Sequence, residues 1–193
     1  MRRSKAELHE AVAVAFADRE YPGDDRIADS DPRYESYEGH AITAFHRGMR
    51  WQEITLRRLL DDYAGDPTAC LAFMQPEGWR YYLPAYVLMA LDWEESDAIG
   101  DAVVGALTHP RARVESFTRV ANDLGLEPDD VIAAHSKRFE ERMSGLAPGE
   151  LEAVRLALEH LVDVVEASNA PFQTQLPNAP REALDSWALG PSA

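Results

Sequence analysis

Residues 76–93, "PEGWRYYLPAYVLMALDW", decide the fold. Most of this run is apolar on every face, and a helix of that kind is surrounded by other helices. Yet Pro84 sits in its middle. A proline there removes the bond to the Arg80 carbonyl, crowds that carbonyl, and costs about 3 kcal/mol in an ordinary helix. The expectation is a central helix kinked or broken at Pro84, with the Arg80 and Tyr81 carbonyls finding other donors. Arg80 poses a second question, because a guanidinium in so apolar a setting calls for a carboxylate. The preceding loop, "REYPGDDRIADSDP" at residues 19–32, is a source. Asp24 or Asp25 is expected to pair with Arg80 and dock the loop beside the helix.

Outward from this segment, helix signals recur, and no stretch alternates with the period of a strand. Ser4 and Glu7 form a capping box that opens a helix to about Asp18. Its inward face is Leu8, Val12, Ala15 and Phe16. Pro22-Gly23 is a turn dipeptide. A second helix is expected from about Tyr34 to Arg47, with Tyr37, Ile42 and Phe45 inward and Gly48 ending it. Trp51, Ile54, Leu59 and Tyr63 are the inward set of the next segment. Asp66-Pro67 reads as an N-cap followed by a proline at the first helical position. Further helices follow over 95–109, stopped by Pro110, and over 111–125 and 127–145. The clearest amphipathic one runs from 149 to 167, with Leu151, Val154, Leu158, Leu161, Val162 and Val165 as its stripe.

The fold class is therefore all-α: a single-domain bundle of about eight helices over residues 1–168, centred on 76–92. Residues 169–193 contain Pro171, Pro177, Pro180 and Pro191 and read as an irregular tail. Within the tail, "REALDSWAL" is the candidate for a short docked helix, held through Leu184 and Trp187.

Composition narrows the partners. Asp and Glu number 34 against 19 Lys and Arg, a formal charge of −15. No basic patch is present to bind phosphate backbones, so nucleic acid and anionic membranes are not expected ligands. The longest apolar run, residues 81–91, is about half the ~20 residues of a spanning helix. Charged residues interrupt the N-terminal apolar segment where a signal peptide would need it continuous. With one cysteine, Cys70, an internal disulfide is impossible and a cytoplasmic location is expected. Arginine far outnumbers lysine, which occurs only at positions 5 and 137; with abundant alanine this suits a GC-rich bacterial genome.

At these same residues a resemblance becomes visible. "AFADREYPGDDRI", "AFHRGMRWQEIT", "ACLAFMQPEGWRYYLPAYVLMAL" and the later "LEAVRLALEHL" occur in that order. Together, over roughly residues 7–165, they resemble an uncharacterised bacterial domain family with a YPGD loop and an RYYLPAY helix. The resemblance implies a fold unit and no chemistry. Against it, "EPDDVIAAHSKRFEERM" looks like an added helix.

No phosphate-binding loop, nucleophile elbow or His-Glu-x-x-His motif is present. The acidic string 24–38 lacks the glycine of a calcium loop and is interrupted by Pro32. His40 and His46 are six apart and point to different faces, so no metal site and no cofactor are expected. His9, His109, His135 and His160 are read mostly as surface or rim positions.

Two readings remain. The first is a non-catalytic acidic protein-binding module, an immunity protein or antitoxin that neutralises a toxin by direct binding. Its acidic faces would be Glu94, Glu95 and Asp97, and Asp129 and Asp130; its apolar anchors would be Phe172 and Trp187. The second is a small-molecule sensor or enzyme built on a YPGDD–Arg80 cleft, where Asp24, Asp25, His46, Arg80, Tyr81 and Tyr82 converge.

Overall fold

The computed structural model describes residues 3–28, 37–92, 96–170 and 177–187. Among them are ten α-helices and no strand. The all-α class is as expected, with two more helices than counted from sequence. In chain order they are α1 (Lys5–Ala15), α2 (Tyr37–His46), α3 (Leu56–Asp62), α4 (Cys70–Phe73), α5 (Pro76–Ala90), α6 (Asp97–Leu107), α7 (Val114–Leu124), α8 (Pro128–Met143), α9 (Pro148–Asn169) and α10 (Ala179–Ser186). Short 3-10 turns at 24–26, 51–53, 67–69 and 110–113 join them.

α5 is the hub. It packs on α1, α6, α8 and α9, and on the turns at 24–26 and 51–53. Trp79, Tyr82, Leu83, Tyr86 and Ala90 are all essentially inaccessible. The helix runs unbroken through Pro84, which lies buried inside it. Burial on every face supplies what local propensity withholds, because a helix enclosed by four others draws its stability from tertiary packing.

The YPGD loop does dock beside α5, but through backbone. Gly23 turns the chain with φ +92°, a conformation open to glycine and costly for other residues. Ile27 and Ala28 then bury completely. The Gln75 amide donates to the Ile27 carbonyl at 3.1 Å, and Gln75 Nε2 donates to the Ala28 carbonyl at 3.0 Å. At Gly78 the Ile27 carbonyl oxygen lies 2.3 Å from where a Cβ would stand, so this crossing requires glycine.

The inward sets hold over most of the chain. Leu8, Val12 and Phe16 are buried, as are Trp51, Ile54, Leu59 and Tyr63. The Ser4–Glu7 capping box forms, and the Asp66 carboxylate caps the 67–69 turn through the Thr68 amide at 2.9 Å. Tyr37 is a correction: it is 68% exposed. The inner face of α2 is Gly39, Ile42, Phe45 and His46. Five residues before Ile42, at 100° per residue, Tyr37 points about 140° away from it. In α9 the deepest residues include Ala153 and Ala157 beside Val154, Leu158 and Leu161, while Leu151 and Val165 are only half-buried.

The tail segment at 177–187 is clamped to the body. Asn178 caps α10 through the Arg181 amide and donates to the Val162 carbonyl at 3.2 Å. Ser186 Oγ accepts from the His109 amide at 2.9 Å. Trp187 Nε1 donates to the Leu107 carbonyl at 2.7 Å. The docked turn is thus a helix of two turns that contributes Ala183 to the core.

Candidate functional site

The six residues proposed for one cleft separate into three environments. The first is a polar clasp on the surface. The Tyr21 hydroxyl donates to Asp24 Oδ1 and accepts from the Gly48 amide at 2.9 Å. Asp24 Oδ2 faces Arg47 Nε at 3.3 Å. Burial, with the Asp24 bond second, pushes the Tyr21 phenol above its usual range. The clasp ties the YPGD loop to the end of α2. Asp25 stands beside it, exposed.

The second environment is a buried aromatic lock. His46 is fully inaccessible, although sequence placed it in the cleft. Its Nδ1 lies 2.8 Å from the Ile42 carbonyl. A carbonyl only accepts, so Nδ1 carries the proton. Nε2 is left as acceptor, 3.3 Å from the Tyr86 hydroxyl. Desolvation lowers the imidazole to about 4, so the ring is neutral at physiological pH. Phe45 and Tyr82 meet it edge-on at 4.8 and 4.6 Å. The Tyr82 hydroxyl donates to the His46 carbonyl at 2.7 Å, with the Met49 carbonyl also in reach at 3.0 Å. That pins the turn between α2 and the 51–53 segment. Cys70 closes the lock between Tyr63 and Tyr86, and burial raises its thiol to about 11. These groups are shut away from solvent and hold the core in one arrangement.

The third environment contains Arg80, and here the sequence expectation is corrected. Arg80 does not pair with Asp24 or Asp25. Its Nη1 donates to the Glu141 carbonyl at 2.7 Å, and its guanidinium lies against Gly145, 2.5 Å from the position a Cβ would take. Burial lowers its proton affinity, and the nearby Glu77 and Glu150 carboxylates only partly oppose that. Arg80 thus faces the α8–α9 turn, and Asp24 is satisfied by Arg47. Beside the loop lies a hollow of about 420 Å³ that includes Tyr21, Trp51, Arg19, Arg50 and Tyr81. Of the six candidates, only Tyr81 lines it.

Sequence reading missed the ion pair next to Arg80. Arg19 Nε donates to Glu150 Oε1 at 2.6 Å, its Nη2 reaches Glu150 Oε2, and the same Nη2 donates to the Gly145 carbonyl at 3.0 Å. Glu150 is 4% exposed and also accepts from the Ala147 amide at 2.7 Å, capping α9. The one available signal was Glu150 three residues after Ala147, the N3 position of a helix whose own N-cap side chain cannot accept.

The candidate partner surfaces are placed as follows. Glu94, Glu95 and Phe172 lie outside the described residues, as does the Asp97 side chain, although Asp97 opens α6. Asp129 and Asp130 are exposed in the first turn of α8. Trp187 is half-buried, its indole tied to the Leu107 carbonyl and not presented as a free anchor. His109, read as a rim residue, is 2% exposed and caps the 110–113 turn through the Arg111 amide at 3.2 Å. Among the described residues, no group of three His, Cys, Asp or Glu is disposed to hold a metal, and no helix is long and apolar enough to cross a membrane.

Comparison with curated proteins and with solved structures returned no match. A profile of the family of unknown function DUF6714 matches residues 4–162, from the cap of α1 to the last buried turn of α9, and the chain belongs to that family.

Proposed function

We propose that the chain is a non-catalytic binding protein that takes a basic protein partner on the outer face of its α7–α8 hairpin. One observation carries the reading. Val114, Val120, Leu124 and Leu126 are 45%, 49%, 67% and 52% exposed, and they supply half of the eight large exposed apolar residues of the described chain. α7 packs mainly on α8 and the 110–113 turn and fully buries a single residue, Ala121. Val120 and Leu124 are one turn apart, so they form one patch. Glu115, Asp123, Glu127, Asp129 and Asp130 are exposed along the same stretch, with Arg119 the one cation between residues 114 and 130. An apolar centre with a charged rim is the anatomy of a protein interface, and the sign of the rim selects a basic partner. The enclosure of His46 and Cys70 supports a non-catalytic role, because neither group can reach a substrate.

The finer form of the reading is an immunity protein or antitoxin, which silences a toxin by covering its working surface. The test uses the full chain as bait at low and high salt, beside Leu124→Asp and Val14→Asp. Val14 is 69% exposed on α1, far along the chain from the hairpin, and serves as control. A stoichiometric basic partner is expected, released by salt, lost with Leu124→Asp and retained with Val14→Asp. Retention by Leu124→Asp, or the absence of any partner, refutes the reading. Suppression of the partner's toxicity by the wild-type chain tests the finer form.

A further inference from the structure

The hollow beside the YPGD loop, about 420 Å³, lies within the size range of small-ligand sites. It opens where the chain leaves α1, and the 48–52 turn and Tyr81 of α5 complete it. Its described lining combines two guanidinium side chains, Arg19 and Arg50, with three aromatic ones, Tyr21, Trp51 and Tyr81. No carboxylate is among them, in a chain with 34 acidic residues against 19 Lys and Arg.

The carboxylates tied to these elements are turned to other donors. Glu150 takes Arg19. Asp24 takes the Tyr21 hydroxyl and faces Arg47. Glu53 accepts from the Arg50 amide at 2.7 Å and faces Arg58 at 4.0 Å. That leaves the Arg50 side chain exposed, its guanidinium without an ion pair or hydrogen bond to any described residue. Arg19 differs in kind. Its bonds to Glu150 and to the Gly145 carbonyl use Nε and Nη2. They fix the guanidinium plane and leave Nη1 without a partner among the described residues. Tyr81 supplies a third donor. Burial raises its phenol, opposed by the Trp51 amide and then by the Arg50 charge. The hydroxyl therefore keeps its proton and stands within electrostatic reach of Arg50. The rings are set by packing: Tyr21 and Tyr81 meet edge-on at 5.4 Å, and Trp51 is 3% exposed. One uncompensated positive charge, planar N–H donors and fixed rings match a planar anionic head on a flat apolar body.

We infer that this hollow binds a small aromatic monocarboxylate, its head held by Arg50, Arg19 and the Tyr81 hydroxyl and its ring set against Tyr21 and Trp51. One carboxylate balances the one unpaired guanidinium. The inference does not depend on the α7–α8 interface, since none of these residues belongs to that hairpin.

The test titrates the full chain with benzoate, with its neutral isostere benzamide and with acetate, following the NMR resonances of the Gly48 amide and the Trp51 indole. Benzoate is expected to shift both saturably, to bind at least about tenfold more tightly than either control, and to weaken as salt rises. Arg50→Glu, at a side chain without a partner, should weaken benzoate by about tenfold or more with melting unchanged. Tyr81→Phe keeps the ring, removes the donor, and should weaken it by about threefold or more. Arg57→Glu reverses a charge outside the hollow, on a side chain 91% exposed, and should bind like wild type. The inference is overturned if benzoate leaves both resonances in place, or if benzamide or acetate binds as well. It is also overturned if Arg50→Glu or Tyr81→Phe binds like wild type, or if Arg57→Glu loses as much as Arg50→Glu.

Discussion

Replacing His46 by glutamine removes one titration from the core and leaves a side chain that can still donate and accept. The wild-type imidazole has a folded pKa lowered from 6.5 to about 4. As pH falls, the unfolded chain therefore takes up this proton first, and the folded state loses ground. The stabilisation from keeping His46 neutral is complete above pH 6.5, declines between 6.5 and 4, and is exhausted below 4. A shift of this size corresponds to about 3 kcal/mol in all, of which about 2 kcal/mol is lost between pH 7.5 and pH 5. With a urea m-value of about 2 kcal/mol/M, the wild-type midpoint should fall by roughly 1 M over that interval. His109, His135 and His160 are also lowered by burial and pull in the same direction. The difference between wild type and His46→Gln isolates the one residue. The hydroxyls of Tyr82 and Tyr86 and the Cys70 thiol are all raised and stay protonated throughout. The assay is urea unfolding by circular dichroism at both pH values. His46→Gln is expected to start less stable at pH 7.5 and to lose about 2 kcal/mol less on acidification. An equal acid loss in both proteins would refute the argument that burial keeps this imidazole neutral.

Three further outcomes follow from contacts described above. Gly78→Ala drives a methyl into the Ile27 carbonyl and should cost about 2 kcal/mol or more in urea melts, because backbone stands on both sides of the clash. Arg19→Met leaves Glu150 buried without its guanidinium partner and should cost about 3 kcal/mol, part of it recovered by adding Glu150→Gln; additive losses in the double variant would contradict a coupled pair. Cys70, buried and raised to about 11, should react with iodoacetamide at pH 8 only as fast as the chain opens; rapid labelling of folded protein would contradict its enclosure.

The legible part of the fold was the part that spacing controls. Leu8 and Val12 declare their face because α1 repeats every three or four residues, and the all-round apolar character of α5 places it at the hub. Tyr37 was misread because a five-residue step back from Ile42 crosses to the far side of the helix. Partner choice was not legible. The need of Arg80 for an acceptor could be inferred, yet a main-chain carbonyl at Glu141 meets it as well as a carboxylate, and sequence contains no sign of which carbonyl comes near. Gly78 looked like any helical glycine because the reason for it, the Ile27 backbone, arrives from another element.

The clasp between Arg19 and Glu150 joins residues 131 apart, and α1 lies against α9. During synthesis the first helix therefore leaves the ribosome long before the surface that completes its burial exists. At typical elongation rates the wait is on the order of ten seconds. Through that interval Leu8, Val12 and Phe16, all inaccessible in the finished molecule, lack the α9 face that covers them, and α5, which also packs on α1, arrives late as well. The N-terminal helix is thus the segment of this chain that waits longest, open to chaperone capture, while the chain is being made.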